Sequence, residues 1–359
     1  MKLAFFGSSL VSAYWNGAAT YYRGILRALA TRGHHTAFYE PDAYGRQQHR
    51  DIPDPEWARV VVYRGEDGLA KALDEARAAD VLVKASGVGV FDEVLERAVL
   101  EQRRPGQLVV FWDVDAPATL ARLEANRDDP FRALVPRYDA IFTYGGGPPV
   151  VAAYTKFGAR ACFPIYNALD PDTHHPSEPI ARFRADLGFL GNRLPDRDAR
   201  VDRFFFETAR SMPERTFVLG GSGWDDKPMP VNVRYAGHVY THEHNAFNAS
   251  SLAVLNVNRE SMAALGYSPA TRVFEAAGAA ACIVSDAWPG MEYFLEPGRE
   301  VLIAEDAAGV VEHLKRLTPE SARRVGEAAR RRVLAEHTYA QRALAVERAL
   351  VGHRLELSA

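Results

Sequence analysis

A chain of 359 residues is longer than one hydrophobic core usually organises, so two domains of roughly 150 to 180 residues are expected. With 47% hydrophobic and 25% charged residues, it has the make-up of a folded globular protein, which excludes long disordered tracts. The 43 basic and 46 acidic residues leave a net charge of -3, which excludes a general field for nucleic acid or anionic membrane and makes any phosphate recognition local.

In chain order, an apolar start over residues 1–6 is halted by Gly7-Ser8-Ser9, too soon for a secretory signal core. No later window is apolar for long enough to span a bilayer, so a cytoplasmic chain without a transmembrane segment is expected. Short β-rich runs fall at 3–6, 36–39, 60–63, 81–84, 108–112, 140–144 and 161–164. Between them lie amphipathic stretches at 18–31 (closed by Gly33), 67–78, 91–101 and 149–157 (closed by Gly158). Such alternation predicts a parallel sheet covered by helices on both faces. Cys162 and Cys282 sit in apolar runs and read as reduced, buried thiols, leaving neither a disulfide framework nor a cysteine metal site.

The polar, proline-bearing stretch 167–179 has the composition of a linker. Strand patterns then resume at 187–190, 216–219, 233–235, 252–257, 281–285 and 301–303, with helices near 199–210, 245–250, 269–278 and 307–317. Beyond Pro319 only helical patterns remain. The expected fold is α/β: two tandem Rossmann-like, doubly wound domains at 1–168 and 181–338, a linker at 169–180, and a C-terminal helix at 339–359 that crosses back to the first domain.

The strongest local pattern runs from Gly266 to Gly278. Ser268 is a favoured N-cap and Pro269 a favoured first helical residue, so the amides of Ala270 and Thr271 are expected to face an anion. Arg272 and Glu275 share a helix face, where a guanidinium suits phosphate and a carboxylate suits ribose hydroxyls; a surface ion pair is the competing reading. A second phosphate candidate is Gly191-Asn192-Arg193, with Arg197 and Arg200 following; Arg193 is the residue chosen, against an arginine-rich solvated loop. His238, Asn256 and Arg259 lie at strand ends facing the same crevice of a doubly wound sheet.

Arg272-Val-Phe-Glu-Ala-Ala-Gly278, Cys282-Ile-Val-Ser-Asp286, Gly290-Met-Glu-Tyr-Phe294 and Gly298-Arg-Glu-Val-Leu302 resemble the C-terminal module of group 1 glycosyltransferases of the two-Rossmann, GT-B type. Trp112–Pro117, Tyr138–Gly147 and Phe189–Asn192 resemble its CgeB-like, spore-maturation-type branch. The resemblance implies transfer of a sugar from a nucleotide diphosphate sugar, with Glu275 at the ribose, a basic residue such as Arg193 at the diphosphate, and the His238 segment at the base. It also implies retention of anomeric configuration. Tyr267 departs from the pattern, standing where the group has a first glutamate that meets the sugar.

In the first domain, Gly7 ends a strand and Gly17 opens the next helix, so the backbone can approach a ligand there. Gly7, Gly17 and Gly24 are spaced too widely for the dinucleotide fingerprint, which weakens a dehydrogenase reading. Asp113-Val-Asp115 resembles the metal-binding Asp-x-Asp of a different, single-domain glycosyltransferase class, but no third ligand is recognisable, so no metal or other cofactor is expected. Asp115 is instead expected to act on the acceptor hydroxyl, with a helix cap before Ala116-Pro117 as the alternative. Lys84, closing an apolar strand, should reach a cleft or pair with an acid, and joins Asp113 and Asp115 on the acceptor side. Gly146, before a helix, is expected to face the donor. Arg193, Arg272 and Asp115 are thus the expected catalytic residues. The alternatives are a nucleotide-sugar 2-epimerase of the same architecture or a nonreactive nucleotide-sugar-binding protein.

Overall fold

The computed structural model describes residues 1–14 and 16–357, with side chains described as far as residue 352; residues 358–359 of the expected C-terminal helix lie outside it. The chain divides into two compact units, one built from residues 1–166 and the C-terminal helix, the other from residues 167–338. The stretch 167–180 belongs to the second unit.

The first unit holds seven parallel strands: β1 (Lys2–Phe6), β2 (His35–Pro41), β3 (Ala58–Tyr63), β4 (Val81–Ala85), β5 (Leu108–Asp113), β6 (Ala140–Thr143) and β7 (Cys162–Pro164), in the order β3-β2-β1-β4-β5-β6-β7. The central strands β1, β4 and β5 are almost continuously apolar because helices cover both sheet faces. The helix Tyr339–Leu357 belongs to this unit and lies on the helix Ala19–Thr31. A Cβ on Gly24 would stand 2.2 Å from the Tyr339 ring, so the absence of a side chain there is what lets the ring seat.

The second unit holds β8 (Ala185–Leu190), β9 (Phe217–Gly220), β10 (Val233–Tyr235), β11 (Ser251–Asn256), β12 (Ile283–Asp286) and β13 (Leu302–Ala304), all parallel, in the order β10-β9-β8-β11-β12-β13. Its core packs Leu187, Phe189, Phe205, Phe217, Trp224 and Leu255. Both sheets therefore have the 3-2-1-4-5-6 strand order of a Rossmann fold, with reversal between β1 and β4 and between β8 and β11. The two-domain α/β expectation is borne out. Among the described residues no helix is long and apolar enough to cross a membrane.

Candidate functional site

In open α/β sheets, ligands bind outside the carboxyl ends of the strands where the strand order reverses. In the second unit that point lies between Leu190, ending β8, and Asn256, ending β11. Arg272 bridges the two: its Nε donates to the Leu190 carbonyl and its Nη1 to Asn256 Oδ1 at 2.8 Å. Asn256 Nδ2 donates to Ser285 Oγ at 2.9 Å, which turns the amide oxygen toward Arg272. Asn256 is thus buried behind the arginine and positions it, rather than facing a donor itself.

Arg197, from the helix Pro195–Val201, reaches the same spot. A Cβ on Gly191 would stand 2.8 Å from Arg272 Nη2 and 3.1 Å from Arg197 Nη2. Both guanidinium groups lie over the Phe189 ring, at 5.0 and 5.8 Å from its centroid. Arg197 donates to the Asn192 carbonyl, and its Nε has no hydrogen-bond partner. Among the described residues neither arginine is ion-paired with a carboxylate. Burial, followed by the charge of Arg272, pushes Arg197 down to about 9. Burial likewise pushes Arg272 down to about 10, against the pull of Glu275 and Asp286. Two desolvated cations side by side, satisfied only by neutral acceptors, make a position that an anion stabilises.

The adjoining helix runs Thr271–Gly278 with Ala270 as N-cap, two residues later than the sequence suggests. Ser268 does not cap it: its Oγ turns back to the Gly266 carbonyl at 2.9 Å, while Tyr267 adopts a φ of 47°. Asn258 Nδ2 holds the Ser268 carbonyl at 3.2 Å and Asn167 Nδ2 holds the Pro269 carbonyl at 3.0 Å. These two clamps fix the loop before the helix, whose first N–H groups lack intrahelical partners. Nothing in the local sequence singled out either asparagine, because their partners lie at other loops.

Arg193, chosen for the diphosphate, is occupied: it pairs with Asp198 at 3.0 Å and with Asp226 at 2.9 Å. Arg200 is engaged by Glu260 and Asp286, and Arg259 by Asp196. Arg197 is the cation of this segment left without a carboxylate, a distinction that depends on tertiary pairing. His238 is exposed beyond β10, with Nδ1 3.2 Å from Ser222 Oγ and its ring edge-on to Tyr240 at 4.6 Å. Glu275 is buried next to His244 and His174.

The first unit changes two expectations, those for Lys84 and Asp113. Lys84 is fully buried and paired with Asp92 at 2.5 Å, so it is a core ion pair and not an acceptor contact. Asp113 is fully buried too, accepting from Ser86 Oγ, Thr119 Oγ1, Tyr154 Oη and the Asp115 amide. Burial raises its pKa, and both carboxylate oxygens are engaged by donors of the same unit. Asp115 is half-buried at the N-cap position of the helix Ala116–Ala125, without capping it. Gly146, with a φ of 87°, is the N-cap of the helix Gly147–Lys156. No atom lies within 4 Å of where a Cβ would stand at Gly17, so protein contacts do not require glycine there.

Two parallel sheets, each in Rossmann strand order and each in its own compact unit, define the class: this is the GT-B glycosyltransferase fold. Sucrose-phosphate synthase from Thermosynechococcus elongatus superposes with a TM-score of 0.70 at 13% identity, over 100% of each chain. Anabaena HepE, crystallised with UDP-glucose, gives 0.69 at 13% identity over 98% of this chain and 100% of that one. A T4 phage glucosyltransferase with its UDP-glucose substrate gives 0.62 at 11% over 97% and 99%. A family model described as glycosyl transferase-like matches residues 197–348, a span that begins at Arg197 and includes Arg272 and Glu275. A search of curated proteins finds no match.

Proposed function

We propose that this protein transfers a glycosyl group from a nucleoside diphosphate sugar to an acceptor hydroxyl, with the donor diphosphate held by Arg197, Arg272 and the start of the Thr271–Gly278 helix. The observation that carries this reading is the convergence of two buried guanidinium groups on Gly191, neither of them ion-paired with a carboxylate among the described residues. As the bond between the anomeric carbon and the diphosphate oxygen breaks, negative charge grows on the leaving group; fixed donors aimed at it lower the barrier. The solved relatives that hold UDP or UDP-glucose make uridine nucleotides the first donors to test. In a thermal-stability screen, UDP and a UDP-sugar should raise Tm while uridine does not. Equal shifts with nucleoside and diphosphate would remove the basis of the assignment.

Two arginines supply the charge that a divalent ion supplies elsewhere, so the reaction is proposed to need no metal at the diphosphate. Transfer should proceed at an unchanged rate with magnesium and manganese omitted; an absolute requirement for either ion would refute this. The finer reading is a retaining enzyme of the CgeB-like branch. Fold alone does not set stereochemistry, since superposable structures include both an α- and a β-glucosyltransferase. Asp115 is proposed to act on the acceptor hydroxyl, so Asp115→Asn should lower kcat about 100-fold or more with donor affinity little changed. Wild-type turnover in that variant would remove the role.

A further inference from the structure

We propose that His174, His244 and Glu275 of the second unit bind a divalent transition-metal ion, zinc by the chemistry of the donors. One ligand atom from each residue lies within 4.8 Å of the other two. His244 Nδ1 stands 3.8 Å from Glu275 Oε2, too far for a hydrogen bond, and neither His244 Nδ1 nor His174 Nε2 has a hydrogen-bond partner. An unsatisfied His244 nitrogen across such a gap from a buried carboxylate, with the second unsatisfied histidine in the same cluster, is a costly arrangement. It suits an ion that takes two imidazoles and one carboxylate at about 2.0 to 2.2 Å, after a small inward shift of the side chains, leaving one position open.

The surroundings are built for ligation. His244 Nε2 lies 3.3 Å from the Val239 carbonyl, which selects the tautomer that turns an unprotonated Nδ1 toward Glu275, the usual orientation of a metal-binding imidazole. Asn245 clamps both sides of His174, donating to the Thr173 carbonyl at 2.9 Å and accepting from the His175 amide at 3.2 Å. On the other flank the His174 carbonyl packs where a Cβ of Gly278 would intrude to 2.7 Å, docking this segment on the helix that carries Glu275. Ligation through Oε2 would leave Oε1 for a ribose hydroxyl, so the ion would hold Glu275 in place.

The test is made on full-length, tag-free protein stripped with a chelator and titrated with Co(II), followed by visible absorption, and with Zn(II) against a chromophoric competitor. One equivalent should bind the wild type, with d–d bands of an N/O site and no thiolate charge-transfer band. His174→Ala and His244→Ala should each weaken binding by about 100-fold or more, while His242→Ala, at a neighbouring residue outside the cluster, should bind as the wild type does. Circular dichroism of each metal-free variant separates loss of a ligand from loss of the fold. Absence of stoichiometric binding by the folded wild type, or unchanged binding in the double histidine variant, would overturn the proposal. Its failure is separable from failure of the transfer reading, because UDP stabilisation is measured independently in metal-free buffer.

Discussion

Arg272→Ala is expected to weaken UDP binding about 10- to 150-fold, the range given by losing charge-assisted hydrogen bonds of about 1.5–3 kcal/mol, while uridine binding changes little. Arg197→Ala should lose affinity for the same ligand by a similar factor, because both guanidinium groups converge on Gly191. Their effects on the empty protein should differ in sign. Arg272 satisfies the Leu190 carbonyl and Asn256 Oδ1, so removing it orphans two acceptors and lowers Tm. Arg197 donates to one carbonyl and sits desolvated beside a like charge, so Arg197→Met should hold or raise Tm. A site that sacrifices stability for anion binding behaves in this way. Burial and the neighbouring Arg272 disfavour the Arg197 charge in the empty site, so a bound diphosphate that neutralises both guanidinium groups should raise Tm more in the wild type than in Arg197→Met. Calorimetric titration with UDP and uridine decides the matter, and equal losses for both ligands would sink the diphosphate role.

Strand and helix order were legible because buried parallel strands are nearly continuous apolar runs and their covering helices are amphipathic; this gave both sheets and the returning C-terminal helix. Arg272 and Glu275 were legible from spacing on one short helix. Arg197 was not separable from Arg193, since the difference is which of them finds Asp198 and Asp226 in three dimensions. Ser268-Pro269 looked like a helix start, yet the hydroxyl bonds backward to Gly266 and the helix begins at Thr271. Here a tertiary clamp by Asn258 and Asn167 overrides a local capping preference. Lys84 and Asp113 misled in a common way: a charged residue closing an apolar strand was read as facing a cleft, and each is instead satisfied inside the core. Asn245, His174 and His244 come together from segments some 70 residues apart, so their meeting is a fact of folding that no local pattern contains.

Asp113→Ala tests whether the Asp-x-Asp pair is structural. Asp113 Oδ1 accepts from Ser86 Oγ at 2.7 Å, from the Asp115 amide at 3.0 Å and from Thr119 Oγ1 at 3.1 Å, and Oδ2 accepts from Tyr154 Oη at 2.5 Å. Thr119 has a second acceptor in the Asp115 carbonyl, but the other three donors would be left buried without one. At about 1–3 kcal/mol for each orphaned donor, the three sum to about 3–9 kcal/mol, so a loss of at least about 3 kcal/mol is expected, toward the top of the range for single substitutions. Asp113→Asn keeps one acceptor and should lose less. It also isolates a pH effect. Burial raises the carboxyl above its usual value of 3.8, so between that value and the folded one the native state holds a proton the unfolded chain has released. Stability from this group therefore grows as pH falls through the folded value and is lost as pH rises. The wild type's margin over Asp113→Asn should accordingly widen toward pH 4 in urea unfolding. If magnesium stabilised the wild type and this stabilisation vanished in both variants, Asp113 would be a metal ligand after all; if both variants unfolded at the wild-type midpoint, the buried network would not be what holds the end of β5.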